Sequence, residues 1–139
     1  MNKADFSNYK TYKNNKCIYG DLEISIDSEF NKHYYIVNKD DRIECNEDEI
    51  CKKTIIMDKH NNFVYTNDII ELAIMDDSEE LSKKKYLVDN YDGILEFPEF
   101  NLYVDGLVLI DVEDNKPNMF SDAILKSYES IEIIGSRCN

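Results

Sequence analysis

The chain has 139 residues, enough for one domain that buries roughly two thirds of the surface its unfolded form exposes. Its 29 acids against 16 bases leave a net charge of −13, a field that repels phosphate backbones and anionic lipid and so disfavours direct nucleic-acid binding. The four glycines leave little for phosphate loops or oxyanion turns, and no GxxxxGK[ST], GxGxxG or nucleophile elbow is present.

The elements follow in chain order. Phe6, Tyr9 and Tyr12 recur every third residue over 1–15, a spacing that fits one face of a short helix or a loosely docked arm. "CIYGDLEISI", 17–26, alternates Leu22, Ile24 and Ile26 with Glu23 and Ser25, the period of a half-buried strand. "HYYIV", 33–37, is β-branched and aromatic and reads as a second strand; "RIEC" after the "NKDD" turn reads as a short third. "NEDEI", 46–50, fits a single helical turn with Asn46 as its cap and acids in the first turn.

"TIIMDKHNNFVYTNDIIELAI", 54–74, predicts a meander of three strands joined by two tight turns. Asp58, Lys59 and Asn61 belong to the first turn, where Asp and Asn bond their own backbone and tolerate positive φ. Asn67 and Asp68 form the second: Asn67 suits a left-handed position, and Asp68 is placed to accept from turn amides. Tyr65 reads as a packed ring with its hydroxyl outward. "DDSEELSKK", 76–84, reads as a solvated loop, "KYLV" as a strand, and "DNYDG" as a hairpin turn ending in Gly93. "ILEF" follows, stopped by Pro98; then come "NLYV", a "DG" break, "LVLIDV" and the loop "EDNKPN". "SDAILKSYES", 121–130, is the helical candidate, with Ile124, Leu125 and Tyr128 on one stripe, and "IEIIG" closes as a strand.

With about eight to ten short strands, one short helix and no βαβ rhythm, the class is mainly β with small α content: a compact antiparallel β-barrel or sandwich. It reads as a single domain, 1–139. The shift near residue 50 from acidic and loop-rich to strongly β marks the one candidate boundary, between a small N-terminal lobe 1–50 and a β-barrel core 51–139.

The 58–70 segment resembles the core motif of the YopX family, small proteins of bacteriophages and prophages. That motif is an "Asp-Lys-Asn-Gly" hairpin followed by "Ile-Tyr-Glu-Gly-Asp-Ile-Val"; here stand Asp58-Lys59-His60-Asn61 and then Val64-Tyr65-Thr66-Asn67-Asp68-Ile69-Ile70. "IYGDL", 18–22, is similar to the family's first strand, and "YESIEIIGS", 128–136, to its closing "Phe-Glu-Val-Ile-Gly-Asn" strand. The family's glycine before the Asp is Asn67 here, its hairpin glycine is Asn61 or Asn62, and its Trp-Asp segment and "Asn-Pro-Glu-Leu" tail have no counterpart. The resemblance implies an SH3-like barrel portion, phage or prophage origin, an accessory role in the bacterial cytoplasm and no established catalysis.

Cys17, Cys45, Cys51 and Cys138 show no CxxC spacing and read as reduced, apolar fillers of a cytosolic protein; no signal peptide or membrane span is evident. His33 reads as a strand residue and His60 as a solvated turn tip, so no catalytic, cofactor-binding or metal-binding residue is assigned. "DVEDN" and "DNYDG" lack the EF-hand order. Tyr34, Tyr35, Tyr91 and Tyr103 are the candidate interaction surface, since tyrosine brings contact area at low entropic cost. The expectation is a non-catalytic acidic interaction module acting on a basic host or phage protein. The alternatives are a nucleic-acid-associated SH3-like barrel protein and an uncharacterised enzyme.

Overall fold

Alternating apolar residues and Asn-rich turns build two antiparallel sheets. The computed structural model of the chain describes residues 7–75, 80–96, 98–115, 117–119 and 130–138. The strands are β1 (Tyr9–Lys13), β2 (Lys16–Ile26), β3 (Lys32–Val37), β4 (Arg42–Cys45), β5 (Cys51–Met57), β6 (Phe63–Tyr65), β7 (Asp68–Met75), β8 (Leu81–Glu96), β9 (Asn101–Asp111), β10 (Pro117–Met119) and β11 (Ser130–Ser136). A six-stranded sheet runs β4-β3-β2-β1-β5-β6 and a five-stranded sheet β10-β9-β8-β7-β11. The fold is mainly β. Among the described residues neither sheet closes on itself, so the two are open layers. No helix of the described residues is long and apolar enough to cross a membrane.

The core lies where the sheets meet. Ile56 and Val64 of the first pack with Ile70, Leu72, Tyr86, Val88 and Leu109 of the second, and Leu107, Ile131 and Ile133 lie against them. Each fully buried branched side chain is worth roughly 1.5–3 kcal/mol, so this cluster is what joins the layers.

Several expectations meet a different structure. Residues 9–13 are a strand, not a helix or a loose arm, because Asn14 and Asn15 take positive φ (53° and 63°) and fold β1 directly onto β2. Phe6 and the 121–129 part of the helical candidate lie outside the described residues. The 54–74 segment is not one meander. β5 and β6 pair in the first sheet, whereas β7 pairs β8 and β11 in the second, so the chain changes sheet at Thr66 and Asn67. "DNYDG" is no turn: β8 runs through it, and eleven consecutive register pairs join β8 to β9, from Tyr86↔Asp111 to Glu96↔Asn101. Pro98 and Glu99, between β8 and β9, sit in a bend. The Asp105-Gly106 break is absent as well; Gly106, at φ 145°, lets β9 continue through a backbone conformation that favours glycine. Leu81 to Lys84 are strand rather than loop, paired to β7.

The shared fabric of the first sheet is tight at Gly20 of β2. A Cβ there would lie 2.3 Å from the Val37 carbonyl oxygen, so only glycine fits beneath β3. At its far end the 3-10 turn Glu47–Glu49 is capped as a capping box: the Asn46 amide donates to Glu49 Oε1 at 2.8 Å.

Candidate functional site

Antiparallel pairing sets Lys10 of β1 opposite Tyr19 of β2, and period two puts Tyr12 on the same side as Lys10. The Lys10 side chain is thereby turned inward, 4% exposed, toward the sheet seam. Its Nζ lies 2.9 Å from Oδ1 of Asp68, the first residue of β7, which is fully buried. Oδ2 of the same carboxylate accepts the Tyr65 amide at 2.8 Å. The rings of Tyr65, Tyr12 and Tyr19 surround the ammonium at 4.6, 5.4 and 6.0 Å, within cation–π range. Tyr19 meets Tyr65 edge to face at 5.8 Å.

Burial alone would lower the Lys10 ammonium, but the adjoining Asp68 carboxylate, by charge and hydrogen bond, holds it above the ordinary lysine value. Burial likewise pushes the Tyr12 and Tyr19 phenols up. Such a lysine is a fixed cation, not a neutral amine ready to attack, and such phenols keep their protons at neutral pH. Beside the pair opens a cleft of about 410 Å³, lined by Tyr12, Tyr19, Phe63, His60 and Glu132 among others.

The expected turn residues have definite places. Asp58 is buried, and its Oδ1 accepts the amides of His60 and Asn62, each at 2.9 Å, while Asn61 stands at φ 63°. Lys59 pairs with Glu132 of β11 at 2.6 Å and donates its amide to the Ile131 carbonyl, tying the turn to the second sheet. The Tyr65 ring is packed, but its hydroxyl is not outward: it donates to the Ser7 carbonyl. Asn67, at φ 73°, holds the seam. Its amide donates to Val88 O, its carbonyl accepts from Arg137 N, and its Nδ2 reaches the carbonyls of Asp48 and Ile50 at 3.3 Å. Arg137 donates to its Oδ1.

The four tyrosines do not converge. Tyr34 and Tyr35 are half-buried on β3, and Tyr35 is covered by the Arg42 guanidinium at 3.7 Å. That side of the first sheet mixes charges. Arg42 binds Glu23 at 2.6 Å, and His33 bridges Asp27 (2.9 Å) and Glu44 (3.4 Å). The Asp27 hydrogen bond, then that of Glu44, raises the His33 imidazole above its ordinary 6.5. A raised folded value means this contribution to stability is full below pH 6.5 and is lost as pH rises through the folded value. NMR titration of the His33 ring is expected to show a midpoint above 6.5 that falls back in Asp27→Asn. An unshifted midpoint in the wild type would contradict the bridge.

Tyr91 and Tyr103 belong instead to the β8–β9 hairpin, a feature the "DNYDG" turn reading hid. β7 pairs β8 only through Leu81 to Leu87, and β10 pairs β9 only through Val108 to Ile110. From Asn90 to Glu96 and from Asn101 to Leu107 the described strands pair with each other alone, as a two-stranded arm. On it Ile94 is opposite Tyr103, 58% and 63% exposed, and Phe100 near the tip is 57% exposed. Asp92 is opposite Asp105. Residues 86–115 contain eight acids (Asp89, Asp92, Glu96, Glu99, Asp105, Asp111, Glu113, Asp114) and no Lys, Arg or His. Arg137 approaches Asp89 at 3.6 Å and Lys84 approaches Asp111 at 3.2 Å, both at the base of the arm. The signal legible in sequence was this one-signed run.

Among the described residues no group of three or more His, Cys, Asp or Glu is placed to hold a metal ion. No family model, curated protein or solved structure matches the chain.

Proposed function

We propose that this chain is a non-catalytic interaction module, an accessory protein of the YopX-like kind acting in the cytoplasm of a bacterium that carries the phage or prophage, and that its β8–β9 arm binds a basic partner protein. The observation that supports the reading is the arm: a two-stranded ribbon with exposed Ile94, Tyr103 and Phe100 and a run of acids uninterrupted by any base. An isolated two-stranded hairpin is marginal in water, so a partner that covers it would stabilise it. Apolar and aromatic side chains supply contact area, and the acids select a cationic surface and speed encounter. The same acids repel a phosphate backbone, which sets this reading ahead of a nucleic-acid-associated barrel.

The test is capture from bacterial lysate with tagged wild type and with Glu96→Lys/Glu99→Lys, whose changes lie on exposed arm positions. The expected result is a partner of basic composition, identified by mass spectrometry, that is held by wild type at low salt, released at high salt, and not held by the charge-reversed variant. A partner held equally by both proteins, a nuclease-sensitive capture, or no capture would overturn the proposal.

A further inference from the structure

The second sheet ends beside the 3-10 turn, where two thiols lie on the carbonyls of adjacent residues. Cys51 opens β5 and is fully buried; Cys138 follows β11 and is partly exposed. Cys51 Sγ donates to the Glu49 carbonyl and Cys138 Sγ to the adjacent Asp48 carbonyl, each at 3.7 Å. Asn67 Nδ2 joins the two positions, 3.6 Å from Cys51 Sγ and 3.3 Å from Asp48 O. The Cys138 backbone is fixed as well, its amide donating to Ser136 Oγ and the preceding Arg137 amide to Asn67 O. Burial pushes both thiols up, Cys51 to about 12, and on Cys138 the neighbouring Cys51 thiol and the Arg137 guanidinium pull the other way.

We infer that Cys51 and Cys138 form a reversible redox pair, a modification site at which a two-electron oxidant of the peroxide class joins the end of the second sheet to β5 of the first. The partly exposed Cys138 reacts first. Its thiolate attacks one peroxide oxygen, the O–O bond breaks, and one water leaves with the thiol's proton, giving a sulfenic acid. The Cys51 sulfur then attacks the Cys138 sulfur. The S–S bond forms, the S–O bond breaks, and a second water carries off the Cys51 proton. Two sulfurs have lost two electrons and the peroxide has gained them. The bond joins residues 87 positions apart, far enough for the cross-link to restrict the unfolded chain substantially. Cys17 and Cys45 take no part.

The experiment treats the full chain with hydrogen peroxide and maps it by non-reducing peptide mass spectrometry. The expected product is two hydrogens lighter, contains a Cys51–Cys138 linked peptide and two remaining thiols, melts several degrees higher, and returns to the starting state with dithiothreitol. The reaction is expected to quicken as pH rises, because each step needs a thiolate. Cys138→Ser, a mild change at a partly exposed site, is expected to fold and to give no intramolecular link. A link that uses Cys17 or Cys45, a disulfide-linked dimer in its place, or over-oxidation of Cys138 with Cys51 still free would overturn the inference.

Discussion

Lys10→Ala is expected to cost about 3–5 kcal/mol of folding stability, because it leaves the Asp68 carboxylate fully buried with no counter-charge. The three tyrosine rings that face the ammonium offer their negative π-faces to a cation and nothing to the anion left behind. Asp68→Ala is expected to be as severe by the reverse logic, since it strands the ammonium and also removes the acceptor of the Tyr65 amide. The double variant Lys10→Met/Asp68→Asn separates the pair from its surroundings. Its Asn keeps an oxygen for the Tyr65 amide, its Met fills the aromatic pocket, and no charge remains. It is expected to recover most of the loss. Urea unfolding of the two single variants and the double variant gives the coupling directly. Additive losses would mean that the two groups do not stabilise one another.

Asn67→Ala is the second large effect, expected near 3 kcal/mol. About 1–2 kcal/mol comes from forcing a β-carbon without Asn's local hydrogen bonding into left-handed backbone. The rest is the loss of side-chain bonds to Asp48, Ile50 and Arg137, each worth about 1 kcal/mol or less at these lengths. Asn67→Gly restores the backbone freedom but not the bonds, so it is expected to lie between wild type and Ala. Thermal melts of the three proteins test the division. Equal stability of Gly and Ala would remove the backbone part; a wild-type melt for Ala would remove both.

Local chemistry was legible in the sequence wherever a few neighbouring residues decide the outcome. Asp58 and Asn61 sit in a turn held by the aspartate's own oxygen, Asn67 takes positive φ, and Asn46 caps a 3-10 turn. The reading failed where distant partners decide. "DNYDG" contains every residue a turn wants, yet eleven register pairs with β9 outweigh those preferences and keep it extended. "TIIM", "FVY" and "IIELAI" were each recognisable as strands, but nothing local says that the second and third lie in different sheets. Lys10 looked like one polar residue in a polar segment. Its partner stands 58 residues away, beyond the reach of any periodicity. The arm was invisible for the same reason: its two strands are defined by where β7 and β10 stop pairing, not by anything within them.

The place of β1 in the middle of its sheet, with β2 on one side and β5 on the other, bears on how the chain is born. Strands leave the ribosome in sequence order, so β1 to β4 can assemble as a run of local hairpins while one side of β1 stays an open edge. That edge waits for Lys52, opposite Tyr9, and Lys10 must hold its charge in water until Asp68 emerges. Only then can the tyrosines close over the ammonium and the second sheet dock. A nascent chain stalled before β5 would therefore display the unpaired edge of β1 to any chaperone or neighbouring strand, and one stalled before β7 would hold a lysine without the carboxylate that lets it be buried.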